Sequence, residues 1–237
     1  MKDKLKTKIT QHWQWIKENR KKILISYLIL FSVFIAMFTI DQLTKYLLFE
    51  HGDVFNANSQ GQVNVGGRWV DAKSIYPVNS ADWKNYGIIG VRSVWHKGVT
   101  FLDTNNIGLI QAISFIIALC VIFIPLFAKE HSYYYSFGLG FLLAGDLGNA
   151  TDRIAFLGHV KDEFYLPWYD TGTFNFADIC IFIGIIYLII FMVVMAIIEW
   201  KKEAVEENEI DKLAEEATNK GDTPDMSYLN KFDEDDK

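Results

Sequence analysis

The sequence predicts an all-α membrane protein, a four-transmembrane-helix bundle with a small extracytoplasmic β-layer. Hydrophobic residues make up 51% of the 237 positions and charged residues only 22%, which argues against both a disordered chain and an ordinary water-soluble domain. The apolar residues are concentrated in four blocks, and a helix of about 20 residues crosses a hydrocarbon core roughly 30 Å thick. We therefore predict membrane spans at about residues 23–48, 107–128, 132–152 and 178–199.

The four blocks differ in how strongly they support a membrane span. The second and fourth are long and almost free of polar residues, which disfavours buried helices of a soluble protein, and their lack of alternation disfavours a β-barrel. The first could be a cleaved signal peptide, but no small-residue cleavage site follows it. The third is weaker because Asp146 interrupts it. Cys120 and Cys180 lie inside apolar blocks, which argues against a disulfide framework or a structural zinc site.

Charged residues at the ends of the spans predict the orientation. Residues 1–22 form a basic head, and Lys201 and Lys202 follow the last span, so we expect both termini in the cytoplasm. The head either lies on the membrane as an interfacial helix or serves only as a topogenic charge cluster. The net charge of −6 comes from the tail at 201–237, which we predict to be disordered and solvated apart from a possible short exposed helix at 204–217.

The outer segment at about 50–106 is too long for a simple connection between spans. Its stretch QVNVGGRWV alternates apolar and polar residues around Gly66 and Gly67, which predicts a β-hairpin. A second strand-like stretch covers residues 88–102. We expect these pieces to form a small β-layer on the outer ends of the helices.

The predicted topology brings three acidic residues to one depth near the outer face. Asp41 lies in the outer part of the first span, Asp152 ends the third, and Asp178 begins the fourth. Ionisable residues inside spans are costly and are commonly functional. Asp41 precedes Lys45 by four residues, a spacing at which the two can pair on one helix face, so we expect structural support from them.

Asp152 and Asp178 each follow an asparagine by three residues. Asn149 and Asn175 can therefore share a helix face with these acids and orient them by hydrogen bonds. Two interpretations remain open from the residues alone. The acids are either a functional pair or two helix-end motifs, the second being an N-cap or first-turn acid of the last span.

Four stretches give the chain a resemblance to a known family: DQLTK (41–45), GDLGNATDRI (145–154), GHVKDEF (158–164) and FNFADICIFIG (174–184). Over about residues 23–200 it resembles the lipoprotein signal peptidases, also called signal peptidase II, which are four-span membrane aspartyl proteases. Their signatures, a DQxxK-like segment, N-x-x-D-R and F-N-x-A-D, occur in this order. The resemblance implies a peptidase domain at 23–200 in which Asp152 and Asp178 are the catalytic pair. Substrate-binding or supporting roles fall to Asn149, Arg153, Asn175, Asp41, Lys45 and Gly98.

The chain departs from the family pattern at two positions. His96 stands where the family usually has the asparagine of an N-x-G-A-A-F stretch, which puts a substrate-positioning role there in question. Asp146 stands where a small or apolar residue is usual, and we expect it to be a structural partner for a basic or amide group.

Two facing carboxyl groups that share a proton can activate water, because like charges at short range split their protonation states. Such a pair needs no metal or cofactor. The helix ends favour Asp152 as the proton holder and Asp178 as the base, whereas the charge of Arg153 would favour the reverse, and the two acids titrate as a pair. The resemblance implies a diacylglyceryl-modified prolipoprotein as substrate, cut before the lipidated cysteine. We expect membrane lipids and no nucleic acid as further partners, and a monomer.

Two other functions compete with this interpretation. One is a subunit of a small proton-coupled transporter, which would place its acids at mid-membrane depth on broken spans. The other is a non-catalytic membrane assembly factor. The location of the acids at one face disfavours the transporter, and the intact aspartate pair disfavours the assembly factor.

Overall fold

The computed structural model describes residues 2–97, 106–128 and 130–220. Gly98 and the residues that follow it in the stretch beginning at His96 lie outside the described residues, as do residues 221–237. The helices are α1 (Lys2–Glu18), α2 (Arg20–Leu48), α3 (Ile107–Phe127), α4 (Ser132–Ala155) and α5 (Phe176–Lys220). The strands are β1 (Gln62–Val65), β2 (Arg68–Asp71), β3 (Lys84–Asn85), β4 (Gly90–Lys97) and β5 (His159–Tyr165).

Three helices in the described part of the chain are long and apolar enough to cross a membrane: α2, α3 and the Phe176–Lys212 portion of α5. They correspond to the first, second and fourth predicted spans. The helix α4 forms where the third span is predicted but does not meet the same criterion. A mostly helical structure with three such helices and a small β-layer is therefore established, and the count of four spans stays a prediction.

The helix α4 is less apolar because it faces protein. It packs against α2 and α3, and Leu139 and Leu143 of α4 form a buried cluster with Leu30 of α2 and with Ala118 and Val121 of α3. At Gly140, an added Cβ would lie 2.8 Å from the Leu30 carbonyl oxygen. Small residues thus allow close helix contact, as is common in membrane bundles.

The β-layer consists of two sheets. Strands β1 and β2 pair antiparallel with Val65 opposite Arg68, and Gly66 and Gly67 both have positive φ, as a two-residue hairpin turn requires. The predicted hairpin is thus present. The second sheet has the order β3-β4-β5 and is antiparallel. Strand β5, which lies between the last two helices in sequence, was not predicted.

The two terminal segments differ in their outcome. The basic head is helical, and the His12 ring of α1 stacks on Phe127 of α3 with ring centroids 4.9 Å apart; an interfacial location stays a prediction. The tail was predicted to be disordered and solvated apart from a possible short helix at 204–217; α5 continues through that stretch to Lys220, and disorder beyond it stays a prediction. The reason is composition, because alanine, glutamate and lysine favour helix even without packing. By its contacts the chain divides into two units after Leu188.

Candidate active site

A buried ion cluster joins α2 to α4. The Lys45 ammonium lies 2.9 Å from Asp41 Oδ2 and 3.0 Å from Asp152 Oδ2, and all three side chains are buried. The predicted pairing of Asp41 with Lys45 is therefore present. Asp41 Oδ1 also accepts the backbone N–H of Ala177 at 2.8 Å, which ties α2 to the first turn of α5. A Cβ at Gly148 would lie 2.7 Å from Asp41 Oδ2, so this position of α4 requires glycine.

Asp178 is held by the two predicted asparagines. Asn149 Nδ2 donates to Asp178 Oδ1 at 2.9 Å, so Asn149 reaches across to α5 instead of orienting Asp152 on its own helix. Asn175 Oδ1 accepts the Asp178 N–H at 2.9 Å, and Asp178 Oδ2 accepts the Asn175 N–H at 3.2 Å. These reciprocal bonds are a capping box at the start of α5. The side chain of Asp178 remains half-buried, so water can reach it.

Asn175 connects this box to a third acid. Its Nδ2 donates to Asn149 Oδ1 at 2.9 Å and to Asp162 Oδ1 at 2.8 Å. Asp162 lies on β5 and is buried. Burial raises the pKa of Asp162 well above its usual value, and the nearby charge of Asp178 raises it further. Both effects favour the neutral form of Asp162.

Asp152 has different surroundings from Asp162. Its Oδ2 atom accepts from Lys45 and also from the backbone N–H of Lys161 at 3.1 Å. One oxygen of Asp152 thus contacts both a cation and a backbone donor. The structure thus joins Asp152 to Asp178 through Lys45, which lies 3.5 Å from Asn149 Oδ1. Asp152 thus belongs to the same network as Asp178 and lies in the part where Lys45 pairs with Asp41 and Asp152.

Other predicted residues surround this network. Arg153 is buried and interacts electrostatically with Asp178, Asp162, Asp146 and Asp152. Asp146 hydrogen-bonds the Ser114 hydroxyl of α3, so its partner is a hydroxyl group as well as the expected basic group.

His96, on β4, is half-buried. Burial lowers its pKa, while the charge of Asp178 opposes that shift. The histidine that replaces the family's asparagine therefore lies within electrostatic range of Asp178.

Sequence reasoning missed Asp162 and Glu163. Both lie on β5 inside the quoted GHVKDEF stretch, and Glu163 is fully buried. Burial raises the pKa of Glu163 to about 9, opposed by the charge of Lys45. The signal available was two adjacent acids in a short strand that leads back to a helix, but identifying them needed the pairing of β5 with β4.

The comparison with protein families decides the relationship. The model of the family described as "Signal peptidase (SPase) II" matches residues 33–194. The chain belongs to the signal peptidase II family. The matched range contains α2 from residue 33, the whole β-layer, α3, α4 and the first part of α5, and so all the acids described above.

Individual relatives agree with the family match. The lipoprotein signal peptidase of Lactiplantibacillus plantarum is 37% identical over 75 residues, which is 32% of this chain and 50% of that protein. That of Wigglesworthia glossinidia brevipalpis is 28% identical over 169 residues, or 66% of this chain and 89% of that protein. The chain spans about half the length of the Lactiplantibacillus plantarum and Enterococcus faecalis relatives that it matches. A solved bacterial membrane enzyme shows 22% identity and a TM-score of 0.49, covering 71% of this chain and 87% of its own.

Proposed function

We propose that this protein is an aspartic endopeptidase of the membrane that removes the signal peptide from diacylglyceryl-modified prolipoproteins. Family membership supports the reaction class. The observation that carries the proposal is the Asn175 side chain, which bonds both Asn149 and Asp162 while Asn149 bonds Asp178. This network holds carboxyl groups from α5 and β5 in fixed positions around one amide.

Asp178 is the first member of the proposed pair, as the sequence predicts. The second is one of two buried acids, the predicted Asp152 or the neighbouring Asp162. The contacts favour Asp162, because Asp152 already neutralises Lys45 at 3.0 Å. An acid that donates a proton to a carbonyl oxygen must be neutral before the reaction, and burial raises the pKa of Asp162, which favours that form.

In the proposed mechanism Asp178 is the base. Its ionised carboxylate takes a proton from water, and the water oxygen attacks the scissile carbonyl carbon. The proton of Asp162 passes to the carbonyl oxygen, giving a neutral diol. The diol then collapses: the carbon–nitrogen bond breaks, the proton on Asp178 goes to the leaving amine, and Asp162 recovers its proton from the diol.

The location of the site suits a lipid-modified substrate. The acids lie where α2 ends, α4 ends and α5 begins, which is the outer face in the orientation we propose, with four spans and both termini in the cytoplasm. A signal helix could enter from the bilayer there and keep its acyl chains in hydrocarbon. Asp178 is half-buried, so water has access to it.

The test is a cleavage assay with purified full-length protein and a diacylglyceryl-modified precursor. We expect Asp178→Asn and Asp162→Asn each to abolish cleavage, with both proteins folded by circular dichroism. Asp152→Asn keeps an oxygen acceptor for Lys161 and leaves Lys45 its bond to Asp41, so we expect reduced but measurable cleavage. The exposed Glu207→Gln is the matched control and should cleave normally.

Two outcomes would overturn parts of the proposal. Normal cleavage by Asp162→Asn with no cleavage by folded Asp152→Asn would make Asp152 the partner of Asp178. Normal cleavage by Asp178→Asn, or no cleavage of any lipid-modified precursor by the unaltered protein, would end the peptidase assignment.

A further inference from the structure

Two loops at one end of the three-stranded sheet present large apolar side chains outward. The β3–β4 turn carries Tyr86 and Ile88, and the loop after β5 carries Trp168 and Tyr169, all between 60% and 81% exposed. Trp168 Nε1 donates to the Ile88 carbonyl oxygen at 3.1 Å, so the loops meet. We call these four side chains the aromatic tip.

The turn in the aromatic tip has a defined shape. Gly87 has φ of +92°, a conformation that glycine adopts without strain. Its N–H donates to Asn85 Oδ1 at 2.8 Å, and the Tyr86 N–H donates to the Ile89 carbonyl at 3.0 Å. Tyr86 and Ile88 are therefore directed outward by a closed turn.

A buried arginine holds the loop after β5. The two terminal nitrogens of Arg92 donate to the Asp170 carboxylate at 2.7 Å each, and its Nε donates to Thr173 at 2.8 Å. Its guanidinium also lies 4.5 Å from the ring centres of Trp83 and Tyr165. Bidentate and cation–π contacts of this kind are among the stronger side-chain interactions. Arg92 thus fixes the loop that carries Trp168 and Tyr169, and the Trp168 bond to Ile88 connects that loop to the β3–β4 turn.

The strand β5 relates the tip to the helix ends. It begins at His159, shortly after α4 ends at Ala155, and its Phe164 pairs with Phe174 just before α5 begins at Phe176. Both ends of β5 thus lie near the helix ends that we predict at the outer face. Because Tyr165 at the end of β5 pairs with Gly90 at the start of β4, the end of the sheet that carries the aromatic tip is also the end nearest the start of α5.

We propose that the aromatic tip inserts into the headgroup layer of the outer leaflet and anchors the β-layer on phospholipid. Tryptophan and tyrosine prefer this layer because one part of each side chain is apolar and the other forms hydrogen bonds. The indole of Trp168 and the phenols of Tyr86 and Tyr169 match that chemistry, and Ile88 supplies a purely apolar group.

Spin labelling of the full-length chain in phosphatidylcholine–phosphatidylglycerol vesicles tests this. A nitroxide is placed at Ile88→Cys in a Cys120→Ser background, which leaves the buried Cys180. Its accessibility to oxygen, which partitions into lipid, is compared with that to a water-soluble nickel complex. The matched control is Lys73→Cys, an exposed position after β2. We expect severalfold higher accessibility to oxygen than to nickel at 88 and the reverse at 73.

A label at 88 with the same accessibilities as at 73 would overturn the proposal. So would a label shielded from both reagents, which would indicate a protein partner. If Ile88→Cys does not fold, Trp168→Phe replaces it: brominated phosphatidylcholine should quench less tryptophan fluorescence in this variant than in the unaltered chain. Equal quenching would also refute membrane insertion.

Discussion

Replacing Glu163 by glutamine should make the protein more stable at neutral and alkaline pH. The Glu163 carboxyl is fully buried and faces Thr44, Lys45 and Asp41 of α2 and Asp162 of its own strand. Burial raises its pKa from 4.5 to about 9 in the folded protein. The folded state therefore holds a proton that the unfolded chain releases at much lower pH.

The sign and size of this effect on stability follow from the linkage between proton binding and folding. Because the folded pKa is the higher one, the proton stabilises the fold fully below about pH 4.5, and this contribution is lost as the pH rises to about 9. Each pH unit in that window lowers the free energy of unfolding by about 1.4 kcal/mol. At pH 7 the protein is therefore about 3 kcal/mol less stable than below pH 4.5, a loss comparable to that caused by a severe point mutation. Glutamine fills the same space without titrating.

The assay is equilibrium unfolding of detergent-solubilised protein between pH 5 and pH 9, followed by circular dichroism. We expect the free energy of unfolding of Glu163→Gln to fall less steeply with pH than that of the unaltered protein. The two slopes should differ by about 1.4 kcal/mol per pH unit, which corresponds to one bound proton. Asp162 titrates in both proteins, so only the difference between the two curves is diagnostic. Parallel curves would show that Glu163 is ionised in the folded state, and Glu207→Gln should reproduce the unaltered curve.

Two substitutions test the ion cluster. Lys45→Met removes the cation shared by Asp41 and Asp152 and leaves two buried acids without their ion-pair partner. We expect the free energy of unfolding at pH 7 to fall by about 3–5 kcal/mol, and unchanged stability would show that the acids are neutral there. Gly148→Ala places a Cβ 2.7 Å from Asp41 Oδ2. We expect this overpacking to lower the free energy of unfolding by about 1–3 kcal/mol, seen as a lower melting temperature. An unchanged melting temperature would refute the close approach.

Sequence patterns predicted a turn or a helix start correctly where a short segment determines its own structure. The paired glycines at 66 and 67 favour a two-residue turn regardless of what surrounds them, and the hairpin is present. Asn175 and Asp178, three residues apart, likewise form a capping box that depends only on the first turn of α5. Such features can be predicted because their energetics are local.

Contacts between distant segments were harder to predict. The spacing of Asn149 and Asp152 suggested a bond within α4, but the amide reaches Asp178 on α5, 29 residues away. Asp162 became visible as a site residue only when β5 was placed beside the start of α5. The brace between Arg92 and Asp170, 78 residues apart, had no sequence signal. In each case the partner is selected by the tertiary fold.

The charges around the proposed active site explain why two of its acids are neutral. A poorly solvated site tolerates little net charge, because an unpaired buried ion is strongly destabilising. Lys45 pairs with Asp41 and Asp152, and Arg153 lies within electrostatic range of Asp178, Asp162, Asp146 and Asp152. Burial raises the pKa of Asp162 and Glu163, which favours their neutral forms and lowers the number of buried negative charges. In the proposed mechanism Asp178 gains a proton as Asp162 loses one, so the total charge of these two acids is the same at every step. A single proton exchanged between two acids is thus the chemistry that such a site can perform without changing its charge.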